Sequence, residues 1–268
     1  MRKWKTSEIE FLRKHYLLRG AKYCAAQLSR SECSVHHKTE ILKLLKPRRS
    51  AELQKFEDGI EPHVAYLLGL LWADGAMGKY DVSLPLIKSD MDEIKHILLR
   101  YGQWSFYLRR PPTGTTWKPI SIARLCNKGL REFLERNDFR HKSKYSPTKL
   151  LGIISPQLHS YFWRGFLDGD GCIYVQKHKN WKFGTIALTG SYEQDWKDLI
   201  ARLNKLKVRY RLVRETSNRG HKCSRIVISN LDGILIFGKY VYRNRESDQI
   251  GFRRKYNNYL TLASYVSV

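Results

Sequence analysis

The chain has 268 residues and carries 49 Lys and Arg against 25 Asp and Glu, a formal net charge of +24. That excess is spread along the whole chain and makes a polyanion the expected partner, nucleic acid above all. No apolar run reaches the ~18 residues of a spanning helix, and the opening MRKWKTSEIEF lacks the apolar stretch of a signal peptide. The expectation is an intracellular protein with no membrane partner. Five cysteines (Cys24, Cys33, Cys126, Cys172, Cys223) form no CxxC pair, which points to reduced thiols and away from a zinc site.

Residues 1–46 read as a small separate module of three helices. Trp4, Ile9, Leu12 and Tyr16 recur at helical spacing behind Thr6, a candidate N-cap, with Glu8 and Glu10 in the first turn. Gly20 is expected to stop that helix. AKYCAAQL, residues 21–28, makes the second, and SRSECSV turns into a third over residues 34–45. The pattern resembles a helix-turn-helix of Myb-like flavour. That likeness implies residues 34–43 in a major groove, with Arg30, His36, His37 and Lys38 clustered where such a helix meets DNA. A bundle that only packs on its neighbour has the same pattern. Residues 47–61 carry Pro47, basic charge and no sustained apolar face, and read as a linker.

The remainder divides into two halves, residues 62–150 and 151–268. In the first, Pro62 opens a helix through Ala73, followed by a Gly-containing turn and a strand near 81–87. A helix over 90–101 comes next, then strands at 104–110 and 117–125, then a helix over 128–136. In the second, a helix over 156–167 precedes strands at 172–177 and 185–189. A helix over 193–205, strands at 210–215 and 224–229, and helices near 231–240 and 251–263 complete the chain. Both halves therefore follow the order helix, two strands, helix, two strands, helix. ISIARL and RIVISN alternate, with one face apolar and the other polar.

Two segments say nearly the same thing: LLGLLWADG at residues 67–75 and WRGFLDGDG at residues 163–171. Their separation is too long for a solenoid unit and indicates a duplicated half-domain. The flanks match as well. LIKSDMDEIKHILLR (86–100) aligns with LTGSYEQDWKDLIAR (188–202), and Phe-Arg-His-Lys at 139–142 aligns with Phe-Arg-Arg-Lys at 252–255. Gly69 and Gly165 allow two helix backbones to approach closely, and Ala73 and Gly169 continue the small stripe. Asp74 and Asp170 then emerge side by side at the helix ends. Like charges so close repel. Hard divalent cations relieve that repulsion, and Mg²⁺ suits carboxylates plus substrate phosphates.

This arrangement resembles the LAGLIDADG homing endonucleases in their single-chain, two-motif form, over roughly residues 62–266. The last acid before the final Gly, decisive in that family, is kept in both copies. The first copy has Leu68 for Ala and Trp72 for the earlier acid. The second has Trp163 and Arg164 at its front and keeps that earlier acid as Asp168, read as structural or capping. The resemblance implies an α+β fold, a pseudo-twofold duplicated αββαββα unit, preceded here by the small three-helix DNA-binding domain. It implies a monomeric, Mg²⁺-dependent endonuclease that cuts duplex DNA across the minor groove and leaves four-base 3′ overhangs. Two or three ions are shared between Asp74 and Asp170, with Ala73 and Gly169 in the metal shell, and Mn²⁺ or Ca²⁺ can substitute. Lys142 and Lys255 match the basic residue that family members place near the metals, a catalytic support.

In that fold four strands from each half build a saddle for the duplex. The expected donors are Lys79, Tyr107, Arg109, Lys118 and Arg124 in one half and Gln176, Lys177, Lys182, Arg211, Arg214 and Arg225 in the other. Lys88, opening the middle helix, faces Gly190-Ser191 in the alignment and suggests unequal half-sites. The added helix-turn-helix points to a bacterial or phage setting over an organelle. A splicing maturase acting on its host intron RNA, and a non-catalytic DNA-binding regulator, are the competing functions.

Overall fold

The structure, a computed structural model, describes residues 3–42, 44, 59–113, 115–178, 181–216 and 220–265. It divides into two units, Met1–Ser50 and Ala51–Val268. The linker expected at 47–61 lies outside the described residues as far as residue 58. No helix among the described residues is long and apolar enough to cross a membrane.

In the first unit, α1 spans Thr6–Leu28 and α2 spans Glu32–Ile41. Gly20 thus lies inside a helical stretch that sequence reasoning divides in two. The stretch is not straight. The rings of Phe11 and Tyr23 sit 6.3 Å apart, whereas a straight helix, rising ~1.5 Å per residue, would hold them about 18 Å apart. The bend brings Leu12 together with Ala21, Cys24 and Ala25, and Val35 of α2 completes this small core. Burial of that cluster is what folds the stretch back on itself. Lys5, not Thr6, is the N-cap; its backbone N–H donates to Glu8 Oε2 at 2.8 Å. Ser31 caps α2 by accepting from the Ser34 N–H at 3.2 Å.

In the second unit the chain runs α3 (Pro62–Asp74), β1 (Ala76–Met77), β2 (Val82–Ile87), α4 (Lys88–Arg100), β3 (Ser105–Arg109), β4 (Ile120–Leu125), α5 (Lys128–Arg136) and α6 (Thr148–Ile153). The same order returns in α7 (His159–Asp170), β5 (Gly171–His178), β6 (Trp181–Ser191), α8 (Lys197–Lys205), β7 (Arg211–Thr216), β8 (Lys222–Ile228) and α9 (Leu231–Val241). Short α10 (Arg245–Asp248) and α11 (Arg253–Ala263) close it. The strands form two antiparallel four-stranded sheets of matching order, β1-β2-β4-β3 and β5-β6-β8-β7. The fold is α+β.

Pro62 at the helix start has no N–H to leave unpaired, which suits the first turn of α3. Every residue from Val64 to Ala73 is buried. A helix apolar all round has to be central, and α3 packs against α7, whose residues from Ser160 to Asp168 are likewise buried. One sheet inverts the sequence expectation. Along ISIARL the alternation is real, but Leu125 and its partner Val82 are buried and fix the parity. Ser121 and Ala123 therefore face the core, while Ile120, Ile122 and Arg124 face outward. RIVISN follows the ordinary rule, with Ile226 and Ile228 inside.

Candidate active site

α3 and α7 meet backbone to backbone. A Cβ on Gly69 would lie 1.9 Å from the Phe162 carbonyl oxygen, and one on Gly165 would lie 2.1 Å from that of Tyr66. Only glycine permits that approach at these two positions. One turn further on, a Cβ on Gly169 would lie 2.5 Å from Ala73 Cβ and 3.1 Å from Asp74 Oδ2. The carboxylate of Asp74 is therefore set against the residue that precedes Asp170.

Electrostatics bear out that proximity. Burial, then the charge of Asp170, pushes the Asp74 carboxyl up to about 6, opposed by Lys255 and Lys142. Burial also raises Asp170, opposed by the same two lysines. Desolvated carboxylates with no ion pair to a cation among the described residues favour a bound metal. Mg²⁺ takes one or two protein carboxylates and fills its shell with water and substrate phosphate, so this pair fits such an ion. Among the described residues no group of three or more His, Cys, Asp or Glu offers a competing site.

The two lysines sit behind the acids in matching places. Lys142 Nζ donates to the carbonyls of Leu71, Trp72 and Ala73 at 3.2, 2.9 and 2.6 Å. Lys255 Nζ donates to those of Leu167 and Gly171, each at 2.7 Å, and of Gly169 at 3.3 Å. Each ammonium thus caps the last turn of a motif helix, taking up the unpaired Trp72 and Ala73 carbonyls in one half and that of Gly169 in the other, where a cation also suits the helix dipole. Burial pushes Lys142 down to about 8 against the pull of Asp170 and Asp74. Ala73 and Gly169, which the resemblance puts in the metal shell, thus have carbonyl oxygens already engaged by lysine.

Asp168 is structural, as its place in the motif suggested. It is buried and accepts from the Phe252 N–H at 2.8 Å and from the Tyr66 hydroxyl, across the helix pair, at 3.0 Å. In the other half Trp72 packs edge-on against Phe139, the counterpart of Phe252, at 6.1 Å. An aromatic contact there stands in for the hydrogen bond.

Two supports escaped the sequence reading. Arg164, fully buried, donates to the carbonyls of Val241, Ile250 and Arg243 at 2.7, 3.0 and 2.6 Å and pairs with Asp248 at 3.0 Å. A lone Arg inside the apolar run FWRGFL was the available signal, since a guanidinium survives burial only when fully partnered. Asp90 holds Arg254, the neighbour of Lys255, at 2.6 Å from the first half. Nothing in the local sequence marks that long-range pair.

The expected DNA contacts separate into groups. Tyr107, Arg109 and Arg124 share the outer face of the first sheet, with Arg124 paired to Asp81 at 2.8 Å. Gln176, Arg211 and Arg225 lie on the outer face of the second, with Arg225 paired to Glu215 at 2.8 Å. Lys177 and Lys182 are cross-strand partners. Arg214 is exposed but shares a rung with buried Ser224, on the face opposite Arg211 and Arg225, and donates to the Tyr192 carbonyl at 3.1 Å. Lys79 and Lys118 lie in loops rather than on strands, and Lys88 opens α4, paired to Asp92 at 2.5 Å.

In the first unit Arg30 is engaged within the unit itself. Its side chain is 6% exposed and pairs with Glu8 at 2.8 Å, donates to the Lys3 carbonyl at 2.8 Å, and lies 3.9 Å over the Trp4 ring. It binds the unit together and has no free face for a phosphate. His36 and His37 are exposed on α2 and Lys38 is half-buried. Tyr16 OH lies 3.4 Å from His36 Nδ1.

Residues 157–242, from the start of α7 through α9, match the family model of a LAGLIDADG-like domain. Among solved structures, I-SmaMI bound to uncleaved DNA target in the presence of calcium ions is 14% identical, covers 76% of this chain and 90% of its own, and superposes with a TM-score of 0.46. The LAGLIDADG homing endonuclease I-GzeII in complex with DNA target is 13% identical, with 78% and 90% covered and a TM-score of 0.46. The LAGLIDADG meganuclease I-AabMI bound to uncleaved DNA is 15% identical, with 78% and 91% covered and a TM-score of 0.47. Comparison with curated proteins gives no match.

Proposed function

We propose that the chain is a metal-dependent, site-specific double-strand DNA endonuclease whose active site is the Asp74–Asp170 pair. The observation that carries this reading is the Asp74 carboxylate set against Gly169 where two motif helices touch. A strongly basic chain with two sheets of matching order surrounds that point. A bound divalent cation would supply an activated water and neutralise charge developing on the scissile phosphate. Asp74 and Asp170 would hold it, and the rigid helix crossing fixes their spacing. Lys142 and Lys255 lock the last turn of each motif helix and set positive charge behind the carboxylates, where low dielectric strengthens it. They act as positioning residues.

Tyr107, Arg109, Arg124, Gln176, Arg211 and Arg225 would meet the duplex from the outer sheet faces. The first unit would add α2, with His36, His37 and Lys38, as a helix-turn-helix contact. Cleavage crosses the minor groove and leaves four-base 3′ overhangs, and the protein acts as a monomer. The test is incubation with a randomised duplex library and Mg²⁺, followed by sequencing of the cut ends. The expected result is one recurrent site with 3′ overhangs, abolished by EDTA, and binding that weakens with salt at about −0.9 log units per neutralised phosphate. Site-specific binding with no cutting in Mg²⁺ or Mn²⁺ would make the chain a regulator. Binding to structured intron RNA without duplex cleavage would make it a maturase.

A further inference from the structure

One strand of the first sheet carries apolar residues on its outer face. On β4, Ser121 and Ala123 face the core while Ile120 and Ile122 face outward, each partly buried. Ile87 pairs with Ile120 and Pro85 with Ile122, so four apolar side chains fill two adjacent outer rungs. β3 extends those rungs with Arg109 opposite Ile120 and Tyr107 opposite Ile122. Val82, Leu84, Leu86 and Leu125 fix the parity of the sheet, and the outward isoleucines are apolar side chains the core does not use; such a local departure is expected where function imposes it. The outer face of the second sheet differs in its residues, with Ala187 and Val227 sharing a rung with Arg211, and Thr189 sharing one with Arg225.

We propose that Ile87, Ile120 and Ile122 read thymine C5-methyl groups in the major groove of one half-site. This rests on the DNA endonuclease reading above. Charge complementarity names the occupant. Arg109 and Arg124 flank the isoleucine rungs, and Lys118 lies just before the strand. An apolar centre in a cationic frame matches a groove with phosphate rims, where the thymine methyl is the apolar group on offer. The groove admits a two-stranded ribbon. Outward residues on one strand recur about every 6.8 Å, close to two base steps of ~3.4 Å. The methyls read by Ile120 and Ile122 therefore lie two base pairs apart.

The experiment uses the full chain and a duplex selected by binding from a randomised library in EDTA. Each thymine of the selected site is then replaced singly by deoxyuridine, which removes the methyl and keeps every hydrogen-bonding group. Affinity is expected to fall about fourfold at each contacted position, at two positions two base pairs apart within one half-site. The triple variant Ile87→Ala, Ile120→Ala, Ile122→Ala is expected to bind thymine and deoxyuridine duplexes alike. Indifference of the unaltered protein to deoxyuridine would overturn the proposal and leave the endonuclease reading intact. Failure to select any duplex would remove both. Self-association abolished by Ile122→Lys would assign this face to a second copy of the chain and overturn the proposal.

Discussion

Substituting Gly165 by alanine tests the helix crossing on which the active site depends. The new Cβ would meet the Tyr66 carbonyl oxygen at 2.1 Å and the Leu70 nitrogen at 2.7 Å. Both are backbone atoms of α3, so no side chain can rotate away. Real Cβ contacts do not fall below 3.0 Å, so the helices have to separate by about 1 Å. Overpacking of this kind costs about 1–3 kcal/mol, and two buried helices without slack place Gly165→Ala toward the upper end. The same displacement moves one carboxylate relative to the other, and a 1 Å misplacement of reacting groups costs on the order of 10²-fold in rate. Urea unfolding and single-turnover cleavage of a selected duplex read the two effects separately. Gly152→Ala in α6 is the control. Nothing lies within 4 Å of its Cβ position, so it is expected to be neutral or to gain up to ~1 kcal/mol. A Gly165→Ala protein as stable and as fast as its parent would show that the two backbones do not touch.

Other variants probe the electrostatics and the supports. The folded-state pKa of Asp74 is raised from 3.8 to about 6, so the folded protein holds this proton more tightly than the unfolded chain. Its stabilising effect is complete below 3.8 and is lost as pH rises through about 6. At pH 8 without metal the ionised group is worth about 3 kcal/mol of destabilisation. Asp74→Asn should therefore be more stable than its parent at pH 8 in EDTA, with the difference gone near pH 4; equal stability at pH 8 would contradict the crowded-carboxylate reading. Lys142→Met strands the Trp72 and Ala73 carbonyls of α3, Leu71 keeping the Gly75 N–H, and should cost about 2–3 kcal/mol in urea melts, where a neutral result would return Lys142 to the surface. Arg30→Ala should lower the helical circular dichroism and melting temperature of the first unit, whereas His37→Ala should change only DNA affinity. An Arg30→Ala protein that melts like its parent but binds DNA weakly would reinstate the phosphate contact.

The helix crossing was legible because its chemistry is local. Glycine at the third place of each motif helix announces contact between backbones, and the acid before the final glycine announces the site. The order of helices and strands was legible from apolar periodicity, including α5, whose bounds match the expectation. Long-range partners were not. Arg30 looked like a groove residue because Glu8 and Trp4 are distant in sequence, and only the bend of α1 brings them together. That Arg214 lies opposite Arg211 and Arg225 was hidden because strand parity is set by register with β8, not by composition. The side on which Ile120 and Ile122 lie was hidden for the same reason. The burial of Leu125 decides which alternate residues are inside, and a pattern with apolar residues on both parities cannot show it.

The most direct test is cleavage of a selected duplex in Mg²⁺ by the parent, by Asp74→Asn and by Asp170→Asn, with binding measured in parallel. The expected result is that either substitution abolishes double-strand cleavage while duplex affinity stays within a few fold of the parent. Double-strand cleavage at the parental rate by both variants would contradict the claim that these two carboxylates together form the active site.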